Sequence, residues 1–189
     1  ADRAVDAARM EGVHERARAV VDRLPGDRGV VRVHHAVDEA HELPLRQQPG
    51  LPVYHGVEKR AMRHLPFIAS APHPLGSAQH RAVREYIVHE FEKLGIETEV
   101  QDDFVPIRPP HSLPVEVMNV VARLRGSAGA SKAVMLAAHY DSTRISASPG
   151  AGDDGAAVAA LLEVARILAQ AALRNDVIFL VTDGVELGL

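Results

Sequence analysis

The sequence predicts an α/β fold, and three observations carry that prediction. The run AVMLAA at 133–138 is continuously apolar, as expected for a strand buried on both faces. The run DVIFLVT at 176–182 is a second such strand. Between them, residues 154–171 form an Ala/Leu-rich stretch with helical periodicity, entered at Asp153 or Asp154 as the cap. Strand, helix and strand make a βαβ crossover, which requires parallel neighbours in one sheet.

Upstream of the crossover the elements follow in order. Residues 57–70 are weakly helical and interrupted by Pro66. Pro72, Pro74 and Gly76 mark a turn. Ser77 is a suitable N-cap for a helix over 78–94, in which Val83, Ile87, Phe91 and Leu94 share one face and Gly95 supplies the stop. His80 and His89 are read as lying off that face and exposed. Residues 97–105 alternate as a strand does. A Pro-rich loop, 106–114, leads to a strand over 115–124 and a tight connection over 126–129. His111 in that loop, like His34 and His35 further upstream, has no ligand spacing to a second site and is expected at the surface.

Composition bounds the function. The chain has 189 residues with 47% hydrophobic and 24% charged residues, which is globular usage. Its net charge of −4 argues against nucleic-acid binding, which favours a basic surface. Cysteine is absent, so neither disulfides nor thiolate metal sites are available. No apolar run is long enough to span a bilayer, and the first residues lack the apolar core of a signal peptide. Residues 1–50 differ from the rest in containing no Ser, Thr, Lys, Asn, Ile, Phe, Tyr or Trp. Val5, Met10, Val13, Ala17, Val20, Val21 and Leu24 fit one helical stripe, and Val30, Val31 and Val33 fit a short strand. Two readings stand for this segment: an ordinary Ala/Arg-rich extension, or out-of-frame translation of GC-rich DNA. The missing residue types, which mostly use A- or T-starting codons, suggest the latter. Protease resistance and hydrogen-exchange protection across 1–50 would exclude it. The expected organisation is an atypical N-terminal extension over 1–56, poor order being one expectation for it, followed by part of an α/β domain over 57–189.

In an open α/β sheet, ligands gather beyond the carboxyl ends of the strands. Three polar clusters fall there: His139-Tyr140-Asp141-Ser142, Gly152-Asp153-Asp154-Gly155 and Asp183-Gly184-Val185-Glu186. Each alone has an ordinary explanation. A His-x-Asp is commonly a loop pair, an Asp-Asp before a helix is commonly a cap, and a single Glu is commonly solvated. Together at one rim, an imidazole and several carboxylates suit zinc or a similar divalent ion. Asp141, two residues after His139, is placed to accept the far ring N–H and fix the tautomer of a ligating histidine.

The stretches APHPLGSAQHRAVREYIVHEFEKLGIETEVQ, NVVARL, AAHYDS, PGAGDDGAAVAALLEVAR and LRNDVIFLVTDGVELGL resemble the zinc metallopeptidases of family 28. These are two-zinc exopeptidases that include aminopeptidase Y and the bacterial leucyl aminopeptidases. The resemblance covers roughly residues 60–189. It implies a three-layer sandwich with a mixed, mainly parallel sheet, present here in part, and removal of N-terminal amino acids from peptides. By position, His139 matches a zinc ligand, Asp141 the aspartate that orients it, Asp153 the aspartate bridging two zincs, and Asp154 its neighbour. Glu186 matches a further zinc ligand. Val185 stands where the family has its general-base glutamate. A valine accepts no proton, and loss of a positioned base typically costs about 10²–10⁴-fold in rate. The resemblance also implies a later aspartate and histidine as ligands, and the sequence ends before either. His139, Asp153 and Glu186 alone give each zinc about two protein ligands, against the three usual at a catalytic zinc. The expectation is therefore a zinc-peptidase portion with little or no activity, its partner a peptide N-terminus. Many relatives are secreted or membrane-anchored. Two alternatives remain: a non-catalytic binding or scaffold protein on the same fold, favoured by Val185, and a single-zinc, glutaminyl-cyclase-like enzyme of similar architecture.

Overall fold

A computed structural model describes residues 32–33, 56–106, 114–127 and 132–189. The stripe proposed over residues 5–24, the paired His34-His35 and His111 lie outside these residues. Among these residues, five strands form one sheet: β1 (Arg32–Val33), β2 (Glu97–Pro106), β3 (Pro114–Leu124), β4 (Ala133–His139) and β5 (Asp176–Thr182). Their order is β1-β4-β5-β3-β2. The sheet is mixed, as expected. β4 runs parallel to β1 and β5, whereas β3 is antiparallel to both β5 and β2. β1 falls on part of the Val30–Val33 apolar run.

Among the described residues, four helices flank the sheet: α1 (Val57–Ala61), α2 (Leu65–Ile68), α3 (Ala78–Lys93) and α4 (Ala156–Leu168). Pro66 lies in the first turn of α2, where its missing N–H costs nothing, so the break in 57–70 comes just before it. α3 begins as its sequence dictates: the Ser77 hydroxyl accepts the His80 N–H at 3.1 Å. It ends at Gly95, whose φ of +70° is the left-handed stop. Val83, Ile87 and Phe91 of α3 and Val158, Leu161, Leu162 and Ala165 of α4 are buried. They meet Val120 and Ala122 of β3, Ala138 of β4 and Val177, Phe179 and Val181 of β5 in one cluster. The described helices therefore cover one face of the sheet.

The structure corrects the sequence reading at three places. β4 is not buried on both faces: Val134 is 46% exposed and Ala137 is also exposed. Val134 shares its face with the buried Ala138, and Ala137 shares its face with the buried Met135, so each face of β4 is covered over part of its length. α4 starts at Ala156, not at 154, and its cap position is Gly155 with no side-chain cap bond. Asp153 and Asp154 belong to a separate turn, Ala151–Gly155, so neither caps the helix. His80 is buried at 3% exposure instead of lying at the surface. It shares the stripe of Val83, Ile87 and Phe91, three, seven and eleven residues on. His89 is exposed, as expected.

Candidate metal centre

The crossover decides the geometry of the site. β4 and β5 are parallel neighbours in a register that pairs His139 with Thr182. Their carboxyl ends therefore open side by side at one rim. The chain leaving β4 carries Tyr140-Asp141-Ser142, and the chain leaving β5 carries Asp183 to Glu186. The turn Ala151–Gly155 enters α4 at the same rim.

His139, Asp153 and Glu186 converge there. One ligand atom from each lies within 4.8 Å of the others. The His139 Nε2 is 3.0 Å from Asp153 Oδ1. His139 is buried, the Asp153 carboxylate is open to solvent, and Glu186 is half-buried. One imidazole nitrogen and two carboxylates at this spacing are a donor set that fits zinc in chemistry and in reach.

The other ring nitrogen is spoken for. His139 Nδ1 is 3.1 Å from the Asp141 carbonyl oxygen and 3.3 Å from its carboxylate Oδ1. Donation of Nδ1–H in that direction leaves Nε2 as the ring nitrogen that faces Asp153 and Glu186. The buried Asp141 carboxylate also accepts the backbone N–H of Val185 at 3.2 Å and of Glu186 at 3.0 Å. Asp141 thus ties the segment after β4 to the segment after β5. Burial opposes ionisation of Asp141. The His139 ring and the two N–H groups outweigh it and hold the carboxyl below its ordinary range.

Burial likewise opposes charge on His139. The carboxylates of Asp141, Asp154 and Asp153 prevail and push the imidazole up to about 9. The field at this point favours positive charge. Asp154 does not join the ligand group; its carboxylate accepts the His139 backbone N–H at 3.1 Å. Burial pushes the Asp154 carboxyl above its ordinary value.

Gly150 shapes the approach to Asp153. Its φ is +66°, and a Cβ there would lie 3.0 Å from the Ser142 Cβ and 3.1 Å from the Asp153 carbonyl oxygen. Only glycine meets both conditions without displacement. Ser142 is clasped in turn by His73. The His73 N–H donates to the Ser142 hydroxyl at 2.8 Å, and the Ser142 N–H donates to the His73 carbonyl at 3.2 Å. Sequence reasoning passed over His73 and misplaced His80. His73 sits in a Pro-rich turn with no periodicity, whereas His80 was detectable from its spacing to Val83 and Ile87.

Comparison with known proteins agrees with this geometry. Residues 119–189 match the model of Peptidase family M28, a stretch that contains all three converging residues. The chain is similar to a vacuolar membrane protease of Coprinopsis cinerea, 28% identical over 162 residues, covering 77% of this chain and 16% of that protein. It is also similar to a Leptosphaeria maculans protein named "Probable zinc metalloprotease". That match is 33% identical over 120 residues, covering 57% of this chain and 28% of that protein. These likenesses support placing residues 119–189 with the M28 zinc peptidases. The chain spans less than a third of the length of these curated relatives.

Two solved structures show the same fold. The Porphyromonas gingivalis glutaminyl cyclase superposes with a TM-score of 0.55 at 26% identity, over 68% of this chain and 44% of that one. A Zn-dependent exopeptidase from Parabacteroides distasonis gives 0.58 at 25% identity, over 67% and 46%. Among the described residues, no helix is long and apolar enough to cross a membrane.

Proposed function

We propose that this chain supplies part of the metal rim of a zinc-dependent exopeptidase of the aminopeptidase type. His139, Asp153 and Glu186 are the ligands, and Asp141 is the residue that orients His139. The observation that carries the reading is the convergence of three donor atoms within 4.8 Å from segments 14 and 33 residues apart in pairs. Zinc, when bound, polarises a carbonyl and lowers the pKa of a coordinated water. The exposed Asp153 carboxylate suits it to bridging two ions, and the substrate is the N-terminal end of a peptide.

Val185 sets the level of activity. Its backbone N–H is held by Asp141, but its side chain offers no proton acceptor where the family resemblance implies a general base. Little or no peptide hydrolysis follows. Residues 57–189 are the zinc-peptidase portion of the chain, and residues 1–56 are an extension distinct in composition.

A calorimetric zinc titration of the purified chain, beside an aminoacyl-chromophore assay, tests this. Zinc binding that is lost in His139→Ala, with chromophore release at background, is expected. A scaffold without a metal role would show no binding that depends on His139. Chelator-sensitive release at a measurable rate would contradict the role given to Val185. The glutaminyl-cyclase likeness supports a second reading. Ammonia release from an N-terminal glutaminyl peptide would favour it over the peptidase.

A further inference from the structure

We infer that His80 is a positioning residue for the metal rim, bracing through one imidazole both strand ends that carry the ligands. The inference rests on the ligand assignment above. On one side, His80 Nε2 is 2.7 Å from Asp183 Oδ1, both side chains being almost wholly buried. Asp183 begins the turn that leads to Glu186. Its Oδ1 also accepts the Gly184 N–H at 2.8 Å, and its Oδ2 accepts the Met118 N–H at 3.0 Å. On the other side, the His80 ring stacks on Tyr140, with centroids 4.6 Å apart and planes 12° from parallel. Tyr140 lies between His139 and Asp141, and its hydroxyl donates to the Met118 carbonyl at 2.8 Å.

The tautomer follows from a neighbour. The Gly76 N–H points at His80 Nδ1, 3.4 Å away, which makes Nδ1 the acceptor and places the proton on Nε2, toward Asp183. His80 also sits on the apolar stripe of α3, where a leucine would pack. A buried polar pair on such a stripe gives up the simpler gain of apolar packing. What it supplies instead is direction: a fixed link from α3 to Asp183, and from Asp183 to the Gly184–Glu186 turn. Gly184 leaves that turn little latitude. Its φ is +75°, and a Cβ would lie 3.1 to 3.3 Å from Leu189, Val117 and Leu75.

The test uses the full chain, cobalt(II) as the probe, and two variants. His80→Leu keeps the apolar stripe and removes the N–H. His80→Gln restores a donor toward Asp183. His80→Leu is expected to bind cobalt about 10–100-fold more weakly, with a changed visible absorption band. His80→Gln is expected to recover most of the affinity and the band, and His89→Ala, at an exposed position of the same helix, to match wild type. Amide exchange at Val185 and Glu186, read without metal, is expected to be faster in His80→Leu while β5 stays protected. Wild-type affinity, band and amide protection in His80→Leu would overturn the inference, as would His80→Gln behaving no better than His80→Leu. If His80→Leu does not fold, His80→Gln decides alone: affinity near wild type supports the inference, and a loss beyond about tenfold overturns it. Absence of cobalt binding by the wild-type chain would refute the ligand assignment, leaving the exchange measurement to judge His80.

Discussion

At the residue scale, Asp141 joins the segment after β4 to the segment after β5. It faces the His139 ring, and it accepts the N–H groups of Val185 and Glu186. Asp141→Ala removes the carboxylate that accepts the Val185 and Glu186 N–H groups, whereas the Asp141 carbonyl still faces His139 Nδ1. Unsatisfied buried donors cost about 1–3 kcal/mol each. The variant is therefore expected to lose about 2–4 kcal/mol of stability in urea unfolding. Zinc affinity is expected to fall about 10–100-fold, since the carboxylate beside the ligand ring and the hold on the Glu186 turn are both gone. Asp141→Asn, which keeps one acceptor oxygen, should lose less of both. An Asp141→Ala chain as stable as wild type would show that the two strand ends are held together by something else. The contact of Asp141 with the His139 ring was legible in the sequence because it depends on a separation of two residues. The bonds from Asp141 to Val185 and Glu186 were not, because they cross 44 and 45 positions.

At the scale of the element, α4 is fixed to the rest of the helix layer by a carboxylate in an unlikely place. Glu163 is buried at 1% exposure in the middle of a helix otherwise faced with Val, Leu and Ala. Its Oε1 accepts from Arg60 of α1 at 2.7 Å and its Oε2 from Arg166 at 2.7 Å. The Arg166 bond, opposed by burial and helped by Arg60, holds the Glu163 carboxyl below its ordinary value. Because the native value is depressed, this stability is fully present above about pH 4.5, the ordinary value. It is lost as the pH falls through the lower native value. Glu163→Gln is expected to cost about 2 kcal/mol at pH 7, the two arginines being partly exposed. The difference from wild type should shrink in unfolding measurements below pH 4.5. A gap that stays constant down to low pH would contradict the ion-pair account. In α3, Phe91 is fully buried and its ring centroid lies 5.6 Å from that of Phe179 in β5. Phe91→Ala is expected to destabilise by about 3–5 kcal/mol. The apolar stripe of α3 was readable from spacing alone, whereas Glu163 and His80 were not recognised as buried. Their partners, Arg60 and Asp183, each lie 103 positions away.

At the scale of the whole molecule, the site is a consequence of topology. Three short polar clusters, each unremarkable, become one donor set because a crossover places β4 beside β5 in parallel and turns α4 back at the same rim. The runs at 133–138 and 176–182 made that crossover legible, and with it the convergence of His139, Asp153 and Glu186. The antiparallel placement of β3 against β5 was not legible. Periodicity reports which face of a strand is buried and is silent about which neighbour it pairs with. Nor does the continuous apolar run reveal that Val134 and Ala137 of β4 are exposed while Met135 and Ala138 beside them are buried.

The most direct measurement of the central claim is a zinc-edge anomalous difference map from crystals of the chain grown with zinc. A peak about 2.0–2.2 Å from His139 Nε2 and from carboxylate oxygens of Asp153 and Glu186 is predicted. Zinc bound elsewhere, with these three side chains bare or turned apart, would contradict it.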